Sequence, residues 1–131
     1  MNLNQVTVPC DDLDASVEFY RRLGLRLIVL DPPHYARFEC PVGDATFSLH
    51  RVPHTSGDGI VVYFELEKLD ETVEQLRAAG LVFESGPQDQ SWLWREAYLR
   101  DPAGNRVCLF HAGVNRHNPP WRQTAEGSRG D

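Results

Sequence analysis

Glu65 lies in VVYFELE and Glu96 in WREAYLR, two short segments in which apolar and other residues alternate. That alternation has the period of a half-buried strand, so each carboxylate shares a face with aromatic side chains. Tyr63 stands beside Glu65, and Trp94 and Tyr98 flank Glu96. A carboxyl group in apolar surroundings has its pKa raised toward neutrality and can then take up or deliver a proton near pH 7. Glu96 and Glu65 are therefore the candidate catalytic residues. In ATFSLHRV the apolar Phe47 and Leu49 point inward, leaving Thr46, Ser48 and His50 on the other face. In RVCLFH, Val107 and Leu109 point inward and Cys108 and Phe110 outward. YARFEC offers Tyr35, Arg37 and Glu39; NQVTVPC sends Val6 and Val8 inward and Gln5 and Thr7 outward; VVYFELE adds Val61.

The surface so assembled has aromatic walls and a few fixed polar groups, the make-up of a small-molecule pocket. Its candidate ligand contacts are Gln5, Arg37, Ser48, His50, Tyr63, Trp94, Tyr98, Cys108 and Phe110. The plainer alternative is an open, solvated sheet. Large aromatic groups are costly to leave in water, which favours the pocket. A single strand histidine such as His50 more often lines a pocket than ligates a metal. Cys108 has no adjacent strong cation and reads as a small packed hydrophobe. His111, at the end of its segment, reads as structural, and His34 as a solvated loop residue.

The elements that position these residues come in two copies. LDASVEFYRRLGL (13–25) recurs as LDETVEQLRAAGL (69–81), with seven identities at one offset of 56 residues. Each copy reads as a helix: Leu13, Val17 and Tyr20 form one buried stripe, and Leu69, Val73 and Leu76 the other. Asp12 is placed to cap the first helix, and Gly24 and Gly80 to stop the two. Strand-like segments precede both helices, and three more follow each: 25–30, 35–40 and 45–52, then 81–85, 94–100 and 106–111. DPPH, PVGD, SGPQDQ and DPAGN separate them as turns. DPAGN reads as architecture, with Asp101 capping locally and Pro102 and Gly104 setting the backbone. The expected fold is α+β: two tandem βαβββ modules, about 4–52 and 60–111, forming a curled mixed β-sheet with helices on its convex side. A half of roughly 55 residues cannot bury both its helix stripe and its sheet face alone. Residues 1–112 then make one domain and 113–131 a polar C-terminal tail.

Composition narrows the function classes. The 131 residues are 41% hydrophobic, and 13 Lys+Arg against 19 Asp+Glu give a formal charge of −6. An acidic surface repels phosphate, so nucleic acid and anionic membrane are poor partners. Three cysteines with no paired spacing suit a reducing compartment. With no long apolar run and no basic-then-apolar leader, a cytoplasmic location is expected.

The paired modules, the opening QVTVPCDDLDASVEFYRRLGL and the closing DPAGNRVCLF together resemble the vicinal oxygen chelate superfamily, the group of glyoxalases, bleomycin- and fosfomycin-resistance proteins and extradiol dioxygenases. The resemblance covers about residues 4–111. It implies a ligand site on the concave face of the sheet, commonly completed across a homodimer. It also implies four metal-ligand positions, which fall here on Gln5, Ser48, Val61 and Cys108. Valine supplies no donor and serine a weak one, against the nitrogen, carboxylate or thiolate donors a divalent cation wants. A shifted set built on Gln5 and His50, with Glu96 or Cys108, would be the way to hold nickel, zinc, manganese or iron; the sequence favours no metal.

Three functions follow from the resemblance. One is a glyoxalase-like protein binding a small organic molecule, with lactoylglutathione lyase-like chemistry as its catalytic form. The second is a metal-free protein that sequesters a drug or aromatic compound, and the third a metal-dependent extradiol-dioxygenase-like enzyme. Only Arg37 and Arg95 are nearby basic candidates, so a glutathione conjugate is poorly supported and a cationic or neutral aromatic ligand fits better. In the tail, Trp121 within NPPWR is costly to leave in water. Residues 116–122 are therefore expected to strap across the body or a partner subunit, with 124–131 loose.

Overall fold

The repeated phrase folds as two helices that end in the same way. In the computed structural model, which describes residues 2–54 and 60–123, β1 (Gln5–Cys10) leads into α1 (Leu13–Leu23). β2 (Arg26–Asp31), β3 (Tyr35–Glu39) and β4 (Thr46–Arg51) complete the first module. β5 (Val61–Glu65), α2 (Leu69–Ala78), β6 (Phe83–Asp89), β7 (Arg95–Arg100) and β8 (Arg106–His111) form the second, and a 3-10 turn, Gly113–Arg116, follows. Gly24 and Gly80 both take left-handed φ, at 117° and 99°. The next amide, Leu25 or Leu81, donates back to the carbonyl of Tyr20 or Leu76. Both leucines are buried, so each helix stop carries its own hydrophobic contact. The helix starts differ. Asp12 accepts from the Ala15 amide, but Lys68 makes no such bond, and Asp70 and Glu71 in the first turn are what favour the α2 dipole.

The fold is α+β with the expected tandem modules. Its strands hydrogen bond as two four-stranded sheets, β1-β4-β3-β2 and β5-β8-β7-β6. In each, the first strand runs parallel to the fourth and the remaining pairs are antiparallel. α1 packs on the first sheet and α2 on the second. One hydrophobic core joins them: the Tyr20 ring lies 4.4 Å from Phe47, and Phe47 lies 6.2 Å from Phe64 of the second module. The opposite faces of the sheets are left to form the site.

Two sequence expectations change here. Val6 does not reach the core and is 42% exposed, because the buried side of β1 begins only at Val8. SGPQDQ is not a separator, since β6 continues through Gly86 and Pro87 to Asp89. β6 is an edge strand with register shifts after Phe83 and Ser85, and an edge tolerates a proline and bulges that a central strand would not.

DPAGN holds more than its own turn. Asp101 is buried; its Oδ1 accepts the Ala103 and Asn105 amides, and its Oδ2 accepts Asn105 Nδ2 and, at 2.7 Å, the Tyr20 hydroxyl of α1. Asn105 Nδ2 also donates to the Pro9 carbonyl of β1. Burial, and then the charge of Asp101, pushes the Tyr20 phenol well above its ordinary range. Tyr20 is thus held as a donor.

Beyond β8 the chain is fastened by Glu65. Its Oε2 accepts the Ala112 and Gly113 amides at 2.9 Å each, and its Oε1 meets Arg116 Nε at 3.2 Å. Burial alone would raise this carboxyl, but the two amides and Arg116 outweigh it and hold the group below the usual carboxylate range. Trp121 does not strap across the body of its own chain, being 57% exposed, while Arg122 folds back onto the His117 carbonyl and Asn118. The expectation for 124–131 lies outside the described residues.

Two measurements check these contacts. Tyr20→Phe removes one donor from a buried carboxylate and should cost about 1–3 kcal/mol in urea unfolding. A loss near zero would mean that the modules do not depend on this bond. Glu65→Gln should cost a similar amount at pH 7. The folded-state pKa of Glu65 lies below the unfolded one, so its contribution is present above the unfolded value and fades as pH falls through the folded value. The stability gap between wild type and Glu65→Gln should therefore narrow from pH 6 to pH 3. A constant gap would show that the charge plays no part.

Candidate functional site

On the second sheet the register lines up three rows of outward side chains. β5, β8 and β7 contribute Glu65, Phe110 and Glu96 to one row, Tyr63, Cys108 and Tyr98 to the next, and Val61, Arg106 and Arg100 to the third. Trp94, just before β7, stacks on Phe110 with ring centroids 4.4 Å apart and planes within 11°. Tyr63 meets both rings edge-on, at 6.0 and 5.8 Å. Phe110 and Trp94 belong, with Cys108, Tyr98, Val61 and Ala112, to a small apolar cluster apart from the main core. Tyr63 remains 47% exposed and is the part of the wall open to solvent.

Glu96 sits at the foot of this wall and is only 3% exposed. Trp92 Nε1 donates to its Oε2 and Tyr98 OH to its Oε1, both at 3.0 Å. Both oxygens of a carboxyl removed from water are thereby satisfied by neutral donors. Burial first, and then the bond to Glu96, pushes the Tyr98 phenol well above its ordinary range. Trp92 escapes strand alternation because it belongs to the β6–β7 turn. There Gln90 N bonds Trp94 O, and Leu93 takes a left-handed φ of 67°, a strained geometry for a branched side chain. The sequence offers only a tryptophan two residues before another as a signal.

Cys108 is fully buried between Tyr63 and Tyr98. Burial and then the charge of Glu96 push its thiol up to about 12, so the sulfur is a protonated, packed group. Glu65, expected to move a proton, is instead committed to the segment after β8: three donors occupy it and hold it ionised. Arg95, expected near the ligand, is bound to Asp70 of α2 and to Asp89, on the other side of β7. Arg106 was missed, although it shares parity with Cys108 and Phe110.

The first sheet presents a polar counterpart. Tyr35 OH and Ser48 Oγ are 2.7 Å apart, and Arg37 Nε donates to the same phenol at 2.9 Å. The bond to Ser48, followed by Arg37, lowers the Tyr35 pKa against the opposing effect of burial. Gln5 Oε1 accepts from Thr46 Oγ1 at 2.6 Å. His50 is exposed, opposite Tyr35 and Pro9.

These positions do not suit the metal that the resemblance implies. Gln5 pairs with Thr46, and His50 lies four residues further along β4. That separation is about 13 Å of strand. At the resemblance's own positions Val61 has no donor, Ser48 Oγ is engaged by Tyr35, and Cys108 is a protonated thiol. Among the described residues no three His, Cys, Asp or Glu side chains are grouped to hold an ion.

A cavity of about 350 Å3 lies at the seam of the modules, lined mainly by apolar residues including Leu23, Val42, Phe64, Leu76 and Leu109. Tyr63 and Glu65 also border it, so Tyr63 is the wall common to this cavity and the aromatic face. No helix among the described residues is long and apolar enough to cross a membrane.

Solved structures share this arrangement. A glyoxalase/bleomycin resistance protein/dioxygenase from Nocardioides is 29% identical, with a TM-score of 0.76 over 95% of this chain and 90% of its own. A lactoylglutathione lyase from Agrobacterium tumefaciens (22%, TM-score 0.72, 86% of this chain and 95% of its own) shares the fold. So does a bleomycin-binding protein solved with bleomycin (23%, TM-score 0.68, 85% of this chain and 98% of its own). The profile of the Glyoxalase/Bleomycin resistance protein/Dioxygenase superfamily matches residues 2–109, and with its tandem modules in place the chain belongs to that superfamily.

Proposed function

We propose that this chain binds a small aromatic organic molecule on the concave face of the β5–β8 sheet, using side chains rather than a resident metal. The observation that carries the reading is the Trp94–Phe110 stack with Tyr63 edge-on to it, standing over the buried Glu96. Stacked and edge-on rings offer a planar ligand a face and an edge together, worth about 0.5–1.5 kcal/mol per pair beyond area burial. Glu96, held by Trp92 and Tyr98, supplies a fixed polar floor. The ill-matched metal positions favour the sequestering reading over the metal-dependent lyase and dioxygenase readings. The bleomycin-binding relative gives this binding reading a precedent within the fold.

A catalytic form of the same site has one observation in its favour, the buried Glu96 in hydrogen-bond contact with the Tyr98 hydroxyl. Those two groups would move a proton on a bound ligand. Glu96→Gln would then abolish turnover while leaving ligand affinity within a few-fold.

The reading includes a homodimer. Ile28, Val29 and Leu30 on β2, an edge strand, are each more than a third exposed, and a second copy would cover them. Sedimentation equilibrium should give twice the chain mass, with Leu30→Glu shifting it toward the monomer. A monomer at tens of micromolar would remove this part of the reading.

Isothermal titration with 2-naphthylacetamide, a neutral planar probe, tests the site. Binding should weaken about tenfold in Trp94→Ala, the scale of losing one well-placed aromatic contact, with the folded far-ultraviolet circular dichroism spectrum retained. Unchanged affinity in Trp94→Ala would place the ligand elsewhere, with the seam cavity the next site to probe.

A further inference from the structure

The charged groups on the concave faces are unevenly matched. On the β5–β8 sheet the two carboxylates of these rows already have donors: Glu65 holds Arg116 and two amides, and Glu96 holds Trp92 and Tyr98. The cations are less well served. Among the described residues neither Arg106 nor Arg37 lies within ion-pair distance of a carboxylate. Arg37 donates to the Tyr35 phenol, a neutral acceptor. Arg106 is the more exceptional. Its guanidinium carbon lies 4.4 Å from the Tyr98 ring centroid, and its Nε is buried with no hydrogen-bond partner. A guanidinium removed from water on one side, and compensated there only by a ring face, is a group that gains from an oxyanion.

We propose that Arg106 is the anion-recognition residue of this face, and that the ligand is an aromatic carboxylic acid. The proposal rests on the binding reading above and names its ligand class. The ring of the acid lies against Tyr63, Trp94 and Phe110, and its carboxylate meets the free edge of the Arg106 guanidinium. The register supports that span. Arg106 leans over Tyr98, which belongs to the Tyr63–Cys108 row, and Phe110 is in the adjoining row. Neighbouring rows on one face of a strand are about 7 Å apart. An aryl group carrying its carboxylate on a short side chain covers that distance. The Tyr98 ring holds the guanidinium on one side by cation–π contact, so its planar fork is already oriented for a bidentate partner. This reverses the ligand charge suggested by composition, because the acids that make the chain negative are spoken for on this face.

Three isosteric probes test it by isothermal titration: 2-naphthylacetate, 2-naphthylacetamide and the cationic 2-naphthylethylamine. The acetate should bind about tenfold more tightly than the amide, and the amine most weakly. The acetate's advantage should shrink as sodium chloride is raised from 20 to 500 mM. Arg106→Met should abolish the preference of acetate over amide, and Arg106→Lys should restore part of it. Equal binding of acetate and amide, tighter binding of the amine, or a preference that survives Arg106→Met would overturn the proposal. If Arg106→Met fails to fold, the order of the three probes and its salt dependence on the wild-type protein decide the matter. Amide binding that still depends on Trp94, without an acetate preference, would leave the aromatic site standing and remove only the anion assignment. Failure of all three probes to bind at millimolar concentration would remove both.

Discussion

A carboxylate buried between two modules sets the geometry of this molecule. Asp101 is a residue of the second module, yet its Oδ2 receives the Tyr20 hydroxyl of the first, and Asn105 reaches from the same turn to the Pro9 carbonyl. An ionised group in that position is unfavourable unless every lone pair is engaged, and four donors engage it. Satisfaction of Asp101 therefore requires α1 and the β7–β8 turn to be together, and Asn105 ties the same turn to the end of β1. Hydrophobic burial supplies the bulk of the stabilisation, but it is tolerant of small slides between helices. The Asp101 hydrogen bonds are directional and less tolerant of such slides.

That joint has a consequence for the site. With both helix-facing sides merged into one core, the two opposite sheet faces are freed from structural duty and have diverged. On the first, Arg37 Nε donates to the Tyr35 hydroxyl, which lies within hydrogen-bond distance of Ser48 Oγ. The second carries stacked rings over Glu96 at the corresponding strands. Duplication keeps the backbone the same while each face takes its own chemistry. Gly24 and Gly80 remain equivalent because both helices must stop and turn; Ser48 and Cys108 differ because each is packed among the side chains of its own sheet face.

The same division explains what the sequence revealed. The tandem modules, the helix stops and the parity of the strands were legible because they rest on local periodicity and on glycine's conformational freedom. Parity also placed Tyr63, Trp94, Tyr98, Cys108 and Phe110 on one face, where the structure shows them clustered. Hydrogen-bond partners across the sequence left no such trace. Nothing local in VVYFELE says that Glu65 will be taken by amides 47 and 48 residues later. Nothing in SWLWR says that a strained Leu93 will turn Trp92 back onto Glu96. Val6 and β6 were misread for a related reason: where a strand becomes an edge, or passes beyond its helix, is a property of the assembled sheet. Trp121 was read from transfer cost alone, and one exposed aromatic group is within what a folded surface tolerates.

Net charge illustrates the limits of composition most sharply. A formal −6 spread over the whole chain acts on an approaching ligand through solvent, and at physiological ionic strength its reach is about 8 Å. A guanidinium at contact acts on a different scale: about 4 kcal/mol for unit charges 4 Å apart at an effective dielectric of 20. The long-range field slows the encounter of an anion with this protein, whereas the contact term decides which anion stays. On a face where Glu65 and Glu96 are already hydrogen bonded and Arg106 has no carboxylate within ion-pair distance among the described residues, the local term would govern selectivity. Under the proposed reading the ligand's charge would be set by which ionic groups the fold leaves unmatched on one face, and counting acids and bases along the chain does not reveal it.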